Sequence, residues 1–273
     1  MRLHISADIE GIAGVTSRDH LMPSGFEYEP ARRWMTETVA AVAEEAHALG
    51  VEQVVVADSH GNAQNLQMDR LPDYVQVVRG WPRRLGMMQG IDEGPYVGSV
   101  MLGYHAGAGS RDGGLAHTLS GRLIREVWIN GRVASEAYLN AAVAGHFDVP
   151  VLLVSGDDAF VAECREQVGD VVGATVKWSQ GRQSTRTLTP AAACALIRSR
   201  FQEAFQSRAT RPCLTVPGPI RLEVEFKTQL HPEVLSYLPA VERTGSHRIT
   251  VTAASILEAT RFLMFVVMYN PSE

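Results

Sequence analysis

The sequence predicts an α/β protein, with a mostly parallel sheet carrying helices on both faces in its N-terminal part and a smaller α+β part after it. Three observations predict this. The runs Val54 to Ala57, Val97 to Gly103 and Val149 to Val154 are apolar without regular polar alternation, as strands covered on both faces of a parallel sheet are. Between such runs, apolar residues recur at helical spacing, for example Met35, Val39, Val42, Ala46 and Leu49. Lastly, three of the strands end in acids or histidines, and open α/β sheets bind ligands beyond the carboxyl ends of their strands.

The first strand alternates Leu3, Ile5 and Ala7 with Arg2, His4 and Ser6, the period-2 pattern of a half-buried strand. It runs into Asp8-Ile9-Glu10-Gly11. Residues i and i+2 of an extended chain face the same side, so both carboxylates should reach one place. A polar loop leads to a helix that Pro30 suits in its first turn and Gly50 suits at its end. The next strand, Val51 to Ala57, ends in Asp58-Ser59-His60. A shorter strand, Tyr74 to Val78, precedes a loop or helix through Trp81-Pro82 and Gly90. The run to Gly103 then ends in Tyr104-His105.

After a glycine-rich loop, Ala116 to Ser120, which includes His117, reads as a short extended segment. Ile124 to Ile129 and Arg132 to Ala134 flank Asn130-Gly131, a strong hairpin signal. Ser135-Glu136 opens a helix that stops near Gly145, and Asp157-Asp158 opens another after the strand at Val149 to Val154. Ala174 to Trp178 is a further strand. Gly181 to Thr187 reads as a polar, basic linker, and Thr189-Pro190 starts a helix running to about Ser207. Leu222 to Phe226 and Arg248 to Thr252 alternate as strands. The last helix spans roughly Ala254 to Met268 and reads as buried. The change of texture places a boundary near Gln180, which divides the chain into residues 1–180 and 181–273.

Charge and composition narrow the partners. The net charge is -5 with no basic cluster, which argues against nucleic acid. Cys164, Cys194 and Cys213 are odd in number and lack Cys-x-x-Cys spacing, so they read as buried small apolar residues of a reducing compartment. Phe262 to Met268 is greasy, but Glu258 and Arg261 keep it far shorter than a membrane span. No leader pattern opens the sequence, and the expectation is a cytoplasmic protein with no membrane partner.

The chemistry resides in histidines and carboxylates. Asp8, Glu10, His60 and His105 stand at strand ends, with Asp58 and Glu136 close to them in the pattern. Nitrogen and oxygen ligands of this kind suit zinc. One catalytic zinc takes about three protein ligands, so the excess points to two ions, with Asp8 as the natural bridge. Each residue also has a plain reading: a loop hydrogen bond for a lone histidine, helix-dipole compensation for Glu136, a turn or a ring support for Asp58. His117 reads as a surface or core residue by itself, and His4, His20, His47, His146, His231 and His247 read as structural.

These residues carry a resemblance. Ser6-Ala-Asp-Ile-Glu-Gly11 is similar to the opening signature of the bacterial zinc-dependent D-aminopeptidase family associated with dipeptide transport. The similarity continues in order through Asp58-Ser-His60, Leu102-Gly-Tyr-His-Ala106, Ala116-His-Thr118, Ile129 to Arg132, Glu136 to Ala141 and Asp148 to Asp158, and loosens after about Thr185. The resemblance implies two zinc ions per subunit held by Asp8, Glu10, His60, His105 and Glu136, with His117 as catalytic nucleophile or general base. It further implies short peptides with N-terminal D-residues as substrates, and a homodecamer of stacked pentameric rings to which the C-terminal part contributes contacts. Two other classes would use a similar ligand set: a dinuclear phosphoesterase, although no arginine cluster or P-loop is present, and a non-catalytic metal-stabilised peptide-binding protein.

Overall fold

A computed structural model describes residues 1–269. The strands are β1 (Arg2–Ala7), β2 (Gln53–Asp58), β3 (Val75–Val78), β4 (Ser99–Tyr104), β5 (Ile124–Ile129), β6 (Arg132–Val133), β7 (Val151–Asp157), β8 (Val172–Gly181), β9 (Ser184–Thr187), β10 (Ile220–Phe226), β11 (Val241–Arg243) and β12 (Arg248–Ala253). The helices are α1 (Tyr28–Ala48), α2 (Glu136–His146), α3 (Asp158–Gln167), α4 (Pro190–Gln206), α5 (Leu230–Leu235) and α6 (Ile256–Met268). A seven-stranded sheet has the order β3-β2-β1-β4-β7-β8-β9 and is parallel except for β9. A five-stranded antiparallel sheet has the order β11-β12-β10-β5-β6.

Local signals account for the helices. Pro30 sits in the first turn of α1, and Gly50 takes a φ of +91° just past its end, where a side chain would be strained. Ser135, Asp157, Thr189 and Ser255 cap α2, α3, α4 and α6, each side-chain oxygen accepting a backbone N–H of the first turn. Met35, Val39 and Val42 of α1 join Ile197 and Phe201 of α4 in one core, against Leu3, Ile5, Val54, Val56, Val100 and Leu102 of the parallel sheet. On the other face, Val55, Met101 and Val154 share a second core with α2, α3, α6 and the antiparallel sheet, through residues such as Val143, Phe160, Leu263, Leu222 and Val224. The expected α/β class, with a parallel sheet covered on both faces, is the observed one.

Several details differ from the pattern reading. β1 is not half-buried: it lies third in the seven-stranded order, and His4 and Ser6 are as inaccessible as Leu3 and Ile5. Their polar atoms are satisfied inside, His4 Nδ1 lying 3.1 Å from Ser99 Oγ and Ser6 Oγ donating to Met87 O at 2.8 Å. The expected linker at Gly181 to Thr187 is the turn and edge strand of a β8–β9 hairpin. Its polar texture reflects exposure at the sheet edge. Residues 116–120 form a loop rather than a strand, with Leu115 and Leu119 at φ of +55° and +60°.

The Asn130-Gly131 hairpin forms as expected, both residues at positive φ, but it joins the antiparallel sheet through β5 and β10. The two sheets therefore do not part at residue 180: β5, from before it, pairs with β10 and carries β6 at the sheet edge, and α4 from after it packs on the parallel sheet. α6 buries one face only, with Phe265 and Met268 exposed. Cys164 is buried as expected, whereas Cys194 and Cys213 are partly accessible; all three are free thiols. Among the described residues no helix is long and apolar enough to cross a membrane.

Burial pushes the His4 imidazole down from 6.5 to about 4, against the opposing pull of its Gln89 backbone hydrogen bond and the Asp92 charge. A histidine lowered on folding binds its proton more readily when unfolded. Its contribution is intact above about 6.5 and is lost as the pH falls towards 4, by up to about 1.4 kcal/mol per pH unit. Urea unfolding between those pH values should show a shallower fall in stability for His4→Gln than for the wild type.

Candidate metal centre

The strand order β2-β1-β4 places three neighbouring carboxyl ends side by side, and the site is built where they end. Asp8 follows β1, His60 stands two residues past β2, and His105 follows β4 directly. Glu10 does not continue β1 in extended form. It lies in a tight turn, where Ile12 N donates to Ile9 O at 3.1 Å. That turn is pressed onto β4: Asp8 N donates to Leu102 O at 2.8 Å and Gly11 N to Gly103 O at 2.7 Å. A Cβ on Gly11 would lie 1.8 Å from Tyr104 O, so no other residue fits there. Glu136 reaches the site from the first turn of α2, and His117 from the loop before β5.

The six side chains fall into two adjoining groups of three. Asp8, Glu10 and His60 converge on one side: His60 Nδ1 lies 3.0 Å from Glu10 Oε2 and 3.4 Å from Asp8 Oδ1. His105, His117 and Glu136 converge on the other: His105 Nε2 lies 3.4 Å from Glu136 Oε1, and His117 Nε2 lies 3.9 Å from the same oxygen. Asp8 faces both, with its second oxygen 3.5 Å from His105 Nε2. The rings of His105 and His117 stack at 3.9 Å. All five expected metal-binding residues and the expected catalytic histidine are thus in one place. The geometry puts His117 as close to Glu136 as a ligand would be, and does not by itself separate its role from theirs.

Each histidine has one ring nitrogen on a backbone carbonyl. His60 Nε2 donates to Leu21 O at 2.9 Å, His105 Nδ1 to Ala106 O at 3.0 Å, and His117 Nδ1 to Leu115 O at 2.9 Å. A carbonyl only accepts, so those nitrogens carry the proton and the opposite ones face the carboxylates. His105 Nε2 is buried and makes no hydrogen bond there. Three buried carboxylates and three imidazole nitrogens aimed at them, one of which is orphaned between Asp8 and Glu136, are a donor set that fits zinc.

Electrostatics point the same way. Burial and the neighbouring Glu10 charge raise the Asp8 carboxyl. Burial also works to raise Glu10 and Glu136, but His60 and His105 outweigh it and hold both below the usual carboxylate range. Conversely, burial would lower His60 and His105, and the carboxylates beside them raise both. His117 is lowered, by burial and by the charge of His105. The pocket therefore carries a surplus of negative charge centred on Asp8, which a cation would relieve.

Asp58 takes no part in the cluster. Its carboxylate accepts from Asn65 N at 2.6 Å, Asn65 Nδ2 at 2.7 Å and Leu66 N at 2.8 Å, so it is the turn former of the two readings. It acts on His60 only through Asn65, whose Nδ2 also donates to His60 O at 2.7 Å. Residues supporting the site that pattern reading passed over lie in the β8–β9 hairpin. Lys177 is 1% exposed and donates to Glu10 O and to Val15 O, the latter at 2.7 Å, while burial lowers its amine to about 8. Gly114 N donates to Ser179 Oγ at 2.8 Å and Leu115 N to Arg182 O at 2.9 Å. The hairpin thereby props the Glu10 turn and the His117 loop together. A single lysine among the apolar residues of a buried strand was the available signal.

Comparison with known proteins agrees with this geometry. The Peptidase_M55 family, described as D-aminopeptidase, matches residues 1–265. A D-aminopeptidase of Bacillus subtilis (strain 168) is 33% identical over 265 residues, 97% of this chain and 96% of the relative. A solved structure, the Zn-dependent D-aminopeptidase DppA from Bacillus subtilis, described as a self-compartmentalizing protease, matches with a TM-score of 0.92 at 31% identity, covering 100% of both chains.

Lys177→Met would leave the Glu10 and Val15 carbonyls without their buried donor. Each such loss costs about 1–3 kcal/mol, so urea unfolding of the metal-free protein should show a stability drop of about 2 kcal/mol or more.

Proposed function

This chain belongs to the D-aminopeptidase family, and from that membership we propose that it is a zinc-dependent enzyme releasing N-terminal D-residues such as D-alanine from short peptides or amides. Family membership favours a peptide hydrolase over the phosphoesterase and non-catalytic alternatives. The observation that carries the metal reading is the pairing of two ligand groups across Asp8, with an unbonded His105 Nε2 buried between carboxylates. Asp8, Glu10 and His60 would hold one zinc, and Asp8, His105 and Glu136 the other. Bound there, zinc would supply Lewis acidity to polarise the scissile carbonyl and to activate water.

The chain's own groups do the rest. Backbone carbonyls of Leu21 and Ala106 fix the His60 and His105 rings so that their opposite nitrogens face the carboxylates. Leu119 N donates to Glu136 Oε1 at 2.6 Å and holds that carboxylate in place. His117 is the member of the cluster that solvent reaches most, its side chain 21% exposed against 11% for His60 and 1% for His105. With Nδ1 pinned to Leu115 O, its Nε2 is the atom available to attack the carbonyl or to take a proton and return it to the leaving amine. The proposed assembly is the homodecamer of stacked pentameric rings, a reading supported by the self-compartmentalizing relative.

His117→Ala should retain zinc and lose most turnover, by about 100-fold or more. Metal analysis alongside D-alanyl anilide hydrolysis checks both; near-normal turnover would remove His117 from the mechanism. For the wild type, about two zinc ions per chain are expected. Hydrolysis should favour D-alanyl over L-alanyl anilide, disappear on chelation and return with added zinc. Equal rates on the two anilides would overturn the D-specific reading.

A further inference from the structure

We propose that the Tyr104 hydroxyl is a positioning group that keeps four of the zinc-holding segments in register, and so sets how tightly zinc is retained. The inference rests on the zinc reading above. Tyr104 is fully buried at the end of β4, and its Oη lies 2.6 Å from Ser6 Oγ. Asn140 Nδ2 donates to the same oxygen at 2.9 Å. Ser6 Oγ is in turn 3.1 Å from Ser59 Oγ, and both serines reach Met87 O, at 2.8 and 3.1 Å.

The members of this chain share one feature. Ser6 stands two residues before Asp8 on β1, and Ser59 immediately before His60. Tyr104 stands immediately before His105, and Asn140 one helical turn after Glu136 on α2. Four segments remote in sequence are thus joined by hydrogen bonds one short step below four of the proposed ligands. The bonds have a consistent direction: Asn140 donates to Tyr104, whose hydroxyl can donate to Ser6, whose hydroxyl donates to the Met87 carbonyl.

Apolar contacts alone would cover this face of the sheet, as Val55, Met101 and Val154 do nearby. They tolerate sliding of one element past another, whereas a chain of hydrogen bonds requires both distance and angle. A metal pair is sensitive to such placement, and groups that orient ligands typically contribute 10–100-fold to metal affinity. Lys177 and the β4 backbone hold the Glu10 turn; Tyr104 is where the segments of the other four proposed ligands meet.

The test compares purified full-length wild type, Tyr104→Phe and Ser6→Ala by zinc competition against a chromogenic chelator, with thermal unfolding of each metal-free protein alongside. Thr260→Val is the control. It removes a buried hydroxyl that donates to Ile256 O at 2.8 Å on α6, away from the cluster. Tyr104→Phe and Ser6→Ala should each bind zinc about 10-fold or more weakly, while Thr260→Val binds as the wild type does. If Tyr104→Phe held zinc as tightly as the wild type, or if Thr260→Val lost as much affinity, the inference would be overturned while the zinc reading stood. A wild type that binds no zinc would overturn both.

Discussion

Three carboxylates buried within reach of one another are the costliest feature of this structure, and much of the surrounding architecture answers to them. Asp8, Glu10 and Glu136 are each 3% exposed. An ionised carboxylate taken from water without partners is strongly disfavoured, and like charges at close range add to the cost. Ile9 N donates to Asp8 at 2.8 Å and Leu119 N to Glu136 at 2.6 Å, while His60 and His105 lie between pairs of carboxylates. What remains uncompensated falls on Asp8, whose carboxyl alone of the three is raised. That residue faces His60 on one side and His105 on the other, and it is where a cation would relieve most.

Holding such a cluster requires backbone that does not move. The turn carrying Glu10 is fixed from two sides, by β4 through Gly11 N and Gly103 O, and by Lys177 through the Glu10 and Val15 carbonyls. The same β8–β9 hairpin supports the His117 loop through Ser179 and Arg182. An edge hairpin of the parallel sheet therefore links the most enclosed part of the site to its most accessible histidine. Site geometry and stability are coupled here, because the groups that position the clustered side chains are also buried polar groups that the fold must satisfy.

Much of the fold was legible because its signals are local. Gly50 ends α1, Ser135, Asp157 and Thr189 cap their helices, and Asn130-Gly131 turns its hairpin, each through chemistry confined to a few residues. The site residues were legible for a related reason. In a parallel sheet, residues just beyond strand ends share one edge, so Asp8, His60 and His105 could be placed together without knowing the strand order. What failed was inference from texture. The polar stretch at Gly181 to Thr187 looked like a linker, yet exposure at a sheet edge selects the same residues. His4 and Ser6 looked solvent-facing, although a central strand has no solvent face.

The sequence by itself determined most of the element types, most of the helix limits, the candidate residues of the site and, through ordered motifs, the family. The tertiary structure alone decided which strands are neighbours, that β5 pairs across the chain with β10, and that Glu10 reaches the site from a turn. It also decided the ring nitrogens: which one of His60, His105 and His117 is bound to a carbonyl and which faces the carboxylates. Lys177 and the Tyr104 hydroxyl belong to this second group. Their partners lie 167 and 98 residues away in the chain, and a hydrogen bond at that separation exists only once packing has brought both ends to within about 3 Å of each other.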